Sequence, residues 1–99
     1  MKLQMHSIRF DADAKLLDFI QKKADKLDTF FERIIDGEVF LRINNDSHME
    51  NKVVEIKINI PGHQLFAKEN AKSFEAAADM AVEALRRQLK KYKEKNFAY

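Results

Sequence analysis

The sequence predicts an α+β fold, a two-layer β-α-β-β-β-α sandwich in which a four-stranded sheet carries two helices on one face. Three observations predict it. Two segments repeat apolar residues every three or four positions, the period of a helix with one buried stripe. Two others alternate apolar and polar residues, the period of strands with one buried and one solvated face. Only two glycines and one proline punctuate the 99 residues, too few turn formers for a many-stranded sandwich. This length suits one domain, taken as 1–99.

The elements follow in order. Residues 1–8 set Leu3, Met5 and Ser7 against Lys2, Gln4 and His6, a short strand. Asp11 and Asp13 are N-cap candidates for a helix whose buried stripe is Leu16, Ile20, Ala24, Leu27 and Phe31. Asp36-Gly37 breaks that pattern, and the glycine is expected to help the chain reverse. Val39, Leu41 and Ile43 then alternate with Phe40, Arg42 and Asn44. A polar segment, 44–51, holds His48 in a loop. Beyond it Val54, Ile56, Ile58 and Ile60 alternate with Glu55, Lys57 and Asn59. A Pro61-Gly62 turn leads into a weaker strand near His63–Ala71. Ser73 caps a last helix, Glu75 suits its first turn, and Phe74, Ala78, Ala81, Leu85, Gln88/Leu89 and Tyr92 form its inward face. Three antiparallel strands thus carry a first strand joined through a right-handed helical crossover.

Composition excludes several functions. With no cysteine there is no disulfide, thiolate metal site or cysteine nucleophile. No apolar run approaches the roughly 20 residues that span a bilayer, and no signal-peptide core opens the chain. A soluble, cytoplasmic protein without a membrane partner is expected. His6, His48 and His63 have no metal-binding spacing, and Gly37 and Gly62 stand in separate turns rather than in a phosphate loop. Ser73 is occupied as a cap, and Ser7 has no glycine elbow. The acids of the first helix, Asp18, Asp25, Asp28 and Glu32, interleave with lysines as a solvated face. The sequence therefore predicts no enzyme, no cofactor and no small-molecule substrate.

Charge is unevenly spread. Residues 82–99 hold six bases against Glu83 and Glu94, +4, while the whole chain carries only +2. On the last helix Arg86, Lys90 and Lys93 form one row and Arg87, Lys91 and Lys95 another, flanking the apolar stripe. From Arg86 to Lys95 the axis covers about 14 Å, a few phosphates of folded RNA. Lys22, Lys23 and Lys26 on the first helix lie off its stripe, so the basic rims of adjacent helices could join into one channel. Spacing alone leaves two readings open: nucleic-acid binding, or cations that complement a helix dipole and keep the protein soluble.

The run 84–95, with Leu85, Arg87, Gln88, Leu89, Lys91 and Lys93, is similar to a Leu-x-Arg-Gln-Leu-x-Lys-x-Lys signature. Lys23-Ala24-Asp25-Lys26-Leu27 followed by Phe30 and Phe31 is similar to a Lys-x-x-Lys-Leu motif. In these motifs and in element order, over about residues 1–95, the chain resembles the ribosome hibernation-promoting factors, also called ribosome-associated translation inhibitors or sigma-54 modulation proteins. Residues 73–79 depart from the family pattern, with Ser73 as the cap and Ala78 for an isoleucine. The resemblance implies the same sandwich fold and binding to ribosomal RNA of the small subunit, in the channel for transfer RNA and messenger RNA. It implies translation blocked by occlusion in stress or stationary phase. Lys23, Lys26, Arg87, Gln88, Lys91 and Lys93 match the family's RNA contacts. Lys22, Arg86, Lys90 and Lys95 adjoin them as RNA-binding candidates. The end at Tyr99 reads as a short form, in which ribosome pairing would need a separate pairing factor. Two other readings stand beside this one: a general double-stranded or structured RNA-binding module, and a dimeric protein-interaction domain using a sheet face that shows Phe40 and Phe66.

Overall fold

Neighbours in the sequence of strands are neighbours in space. In a computed structural model, which describes residues 1–44 and 51–97, the order is β1 (Lys2–Ser7), α1 (Ala14–Phe30), β2 (Asp36–Ile43), β3 (Lys52–Ile60), β4 (His63–Ala71) and α2 (Phe74–Phe97). The expected loop at His48 lies outside the described residues. The sheet order is β1-β2-β3-β4. The β1–β2 pair is parallel and the other two pairs are antiparallel. A parallel pair cannot be closed by a tight hairpin, so α1 supplies the crossover.

The alternation read from the sequence sets the registers. Met5, Val39, Ile56 and Ala67 line up across the four strands, and the next row inward is Leu3, Gly37, Ile58 and Leu65. These rows share one core with Leu16, Ile20 and Leu27 of α1 and Phe74, Ala77, Ala78, Ala81, Leu85 and Leu89 of α2, so both helices lie on one face. Each fully buried leucine or isoleucine there contributes roughly 1.5–3 kcal/mol. Among the described residues no polar or charged side chain is buried. Ile43, expected inside, is 40 % exposed, because its cross-strand neighbour on that face is Lys52.

The helix ends follow local chemistry. Of the two aspartates offered as caps, Asp13 is the one used, accepting from the Leu16 N–H at 2.8 Å. Ser73 Oγ accepts from the Ala76 N–H at 3.1 Å and starts α2. The helical stripe of α1 stops one residue early: Phe31 is extended, with φ −143°, yet its side chain stays buried. Asp79, near the start of α2, pairs with Lys23 midway along α1, while Arg86 and Lys93 reach Phe30 at its end. The two helices therefore run in the same direction.

Gly62 takes φ 72° in the Pro61-Gly62 turn, as expected. Gly37 does not reverse the chain. It lies inside β2, paired with Leu3 and Ile58, and the turn precedes it. Its requirement is space: a Cβ there would stand 2.7 Å from the Lys57 carbonyl oxygen and 2.8 Å from Leu3 Cδ2. The carbonyl belongs to a paired strand and cannot swing aside. Gly37→Ala is expected to cost about 1–3 kcal/mol as an overpacked site, measured by urea denaturation. A change below a few tenths would show that β2 and β3 separate easily.

Candidate nucleic-acid interface

The C-terminal half of α2 carries cations on both flanks of its buried stripe, as its 3.6-residue period requires. Arg86 and Lys93 face the end of α1. Lys93 Nζ donates to the Phe30 carbonyl oxygen at 3.0 Å and lies 4.6 Å from the centre of the Phe30 ring. The Arg86 guanidinium lies 5.9 Å from the same ring. That carbonyl belongs to the last turn of α1, where no intrahelical donor remains, so Lys93 acts as a tertiary cap. On the opposite flank Gln88 donates to the Phe66 carbonyl oxygen of β4 at 2.9 Å, and Lys91 and Lys95 line a groove with His63, Leu65 and Tyr92.

The two rows of α2 therefore point to different sides of the helix. Lys23 lies at the seam between helices beside Asp79, and Lys93 with Arg86 lies farther along it beside Phe30, while Lys91 and Lys95 look the other way, over β4. Lys22, Lys26 and Lys90 are exposed on the outer helical surfaces.

Acid compensation is greater than the sequence suggested. Glu83, at the start of the basic run, binds Arg86 through both its oxygens at 2.6–3.1 Å and approaches Arg87 to 3.9 Å. Hydrogen bonds from Arg86 hold the Glu83 carboxyl below the usual carboxylate range. Lys22 pairs with Asp18 at 3.0 Å, and Lys23 with Asp79 at 2.8 Å. Lys26, Lys90, Lys91 and Lys95 have no ion-pair partner among the described residues. Exposed pairs such as Glu83–Arg86 are worth little in water, and a phosphate can compete for their cations.

The far side of the sheet is less aromatic than expected. Phe66 is 44 % exposed, but Phe40 is stacked on His6 at 4.8 Å and covered by Lys57 at 5.5 Å. Polar side chains there pair off, His6 with Glu38 at 3.1 Å and Arg42 with Glu55. No group of His, Asp or Glu among the described residues is arranged to hold a metal ion. Sequence reasoning missed Phe30, His63 and Tyr92 as partners of the basic rows. Tyr92 was visible as an inward position of α2. Nothing local to His63 says that β4 begins beneath that tyrosine.

Comparisons with known proteins agree with this architecture. The profile of a family described as sigma 54 modulation protein/S30EA ribosomal protein matches residues 3–96. A ribosome hibernation promotion factor of Deinococcus radiodurans is 29% identical over 91 residues, covering 91% of this chain and 48% of that protein. This chain thus spans about half the length of that relative. A ribosome hibernation promoting factor of Pseudomonas putida is 27% identical over 95 residues, covering 96% of this chain and 89% of its own. In fold, the chain is similar to a ribosomal subunit interface protein from Coxiella burnetii, with a TM-score of 0.84, 24% identity and coverage of 94% and 98% of the two chains.

Lys93 and Lys91 separate the structural cation from the solvated one. Lys93→Ala is expected to destabilise by about 1 kcal/mol, a charge-assisted hydrogen bond discounted for partial exposure. Lys91→Ala should cost less than about 0.5 kcal/mol. Equal midpoints in urea for the two variants would show that the Phe30 carbonyl does not need its cap.

Proposed function

Because residues 3–96 carry its profile, the chain belongs to the sigma 54 modulation protein/S30EA ribosomal protein family, and from that membership we propose that it is a ribosome hibernation factor. Its family consists of ribosome-associated binding proteins, not enzymes. It acts in the cytoplasm, on the small ribosomal subunit, by seating the basic half of α2 against ribosomal RNA in the transfer-RNA/messenger-RNA channel. The observation that carries this reading is the set of exposed cations without ion-pair partners among the described residues, Lys26, Lys90, Lys91 and Lys95, all on the helical layer. Relatives named ribosome hibernation promoting factors support it.

The mechanism is charge followed by volume. Lysines and arginines displace counterions condensed on RNA, which supplies affinity without base specificity. Lys23, Lys26, Arg86, Arg87, Lys90, Lys91, Lys93 and Lys95 supply the cations, with Lys22 at the margin and Gln88 holding α2 to β4. A domain measuring 47 × 24 × 19 Å then fills space that a transfer RNA and messenger RNA would use. Among the described residues no helix is long and apolar enough to cross a membrane.

The test is sedimentation with ribosomes at graded salt. About six phosphate contacts give a slope of log affinity against log salt near −4 to −5. Lys26→Glu with Lys90→Glu should reduce the magnitude of that slope by about two and weaken binding at low salt roughly tenfold or more. Lys2→Glu with Lys68→Glu, on the opposite face of the sheet, makes the same change in charge and should leave the slope unchanged. Equal losses in the two double variants would sink the assigned surface. A short RNA duplex that competes as well as ribosomes would replace this reading with a general RNA-binding module.

A further inference from the structure

One groove joins aromatic surface to cations that have no ion-pair partner among the described residues. Of about 530 Å³, it lies between the C-terminal end of α2 and the first residues of β4, and no carboxylate among the described residues lines it. The neighbouring grooves differ: the one beside Arg87 contains Glu69, Asp79 and Glu83, and the one at the helix seam contains Glu32. In the carboxylate-free groove the His63 ring stacks on Tyr92, with centroids 5.8 Å apart and planes 17° from parallel. Tyr92 is braced edge-on by Phe31, at 5.8 Å and 86°, and Phe31 is buried. The platform is thus anchored in the core. His63 is fixed from below by its pairing with Ile60 across the Pro61-Gly62 turn, and its side chain is exposed.

On this geometry we propose that His63, backed by Tyr92 and flanked by Lys91 and Lys95, is a stacking platform for one unpaired base of single-stranded or looped RNA. The inference rests on the RNA-binding reading above and adds a specific subsite to it. An unstacked base offers a flat π-face to the imidazole, and its flanking phosphates fall to the two lysines, one helical turn apart. Asn96 stands at the rim with its amide nitrogen donating to the Tyr92 carbonyl oxygen at 2.8 Å, which leaves Oδ1 as an acceptor toward a base edge. The outer face of the sheet also holds aromatics, but there His6 is bonded to Glu38, Arg42 to Glu55, and Lys57 lies over Phe40.

The probe is a short single-stranded oligoribonucleotide carrying one fluorescent adenine analogue whose emission falls on stacking. Binding is followed in parallel by anisotropy and by sedimentation with ribosomes. The native protein and His63→Phe should quench the analogue. His63→Ala should lose the quenching and bind the probe about tenfold more weakly, with the salt slope unchanged because no phosphate contact is removed. Quenching by His63→Ala equal to that of the native protein overturns the platform, as does binding of the native protein without quenching or no binding to the probe at all. In each case Lys26→Glu/Lys90→Glu still decides the parent reading. If that variant loses ribosomes while His63→Ala behaves as native, RNA binding stands and the base site falls. If it keeps them, the parent reading falls as well.

Discussion

The direction of the two helices governs most of what is distinctive in this molecule. A parallel β1–β2 pair sends α1 back against the strands, and two hairpin reversals later α2 is sent back the same way. Two parallel helices on one face bring their carbonyl ends to the same side, each with the partial negative charge of its macrodipole. Lys93, bonded to the Phe30 carbonyl, answers that problem directly, and Arg86 lies over the same residue. Part of the basic cluster is therefore needed by the fold before any ligand is considered. A cation that caps a helix still has hydrogens to offer a phosphate.

Among the described residues the core is all apolar and no group of side chains is arranged to hold a metal ion. What the chain offers is a set of cations held at defined spacing by rigid helices. Several are balanced by exposed carboxylates, as in Lys23–Asp79 and Arg86–Glu83. Such pairs restrain side chains at little net gain in stability, and they are exchanged readily for a stronger anion. In the proposed complex the lysines without ion-pair partners among the described residues would set the field, and the paired ones would refine the geometry once contact is made.

The strands and helices were legible because their signals are local. Alternation through 54–60 and the stripe Leu16, Ile20, Ala24, Leu27 depend only on period, and both appear as read. Asp13 rather than Asp11 as the cap, and Phe31 just past the helix, are shifts at element ends. Gly37 was misread because its constraint is the Lys57 carbonyl of another strand, which no local rule contains. The two basic rows were legible for the same reason as the stripe. Glu83 was visible at helical distance from Arg86, but Lys23–Asp79 depends on how far α2 slides along α1. The meeting of His63 with Tyr92 likewise depends on where β4 begins beneath α2. Tertiary register, more than residue type, was the missing quantity.

The lengthwise sorting of charge has a further consequence. Asp11, Asp13, Asp18, Glu75 and Asp79 sit toward the end where both helices begin, and Arg86 to Lys95 toward the end where they finish. Arg9, Lys15 and Lys72 at the first end and Asp28, Glu32 and Glu94 at the second offset part of this sorting. A surplus of +4 over residues 82–99, against +2 for the whole chain, still leaves the 47 Å body unevenly charged along its length. In the field of a polyanion it experiences a torque before it makes any contact. Collisions are then sorted toward one orientation while the partners are still separated by solvent. Ionic strength would act chiefly on the rate of productive encounter, whereas the lifetime of the complex would follow from the close contacts made after alignment.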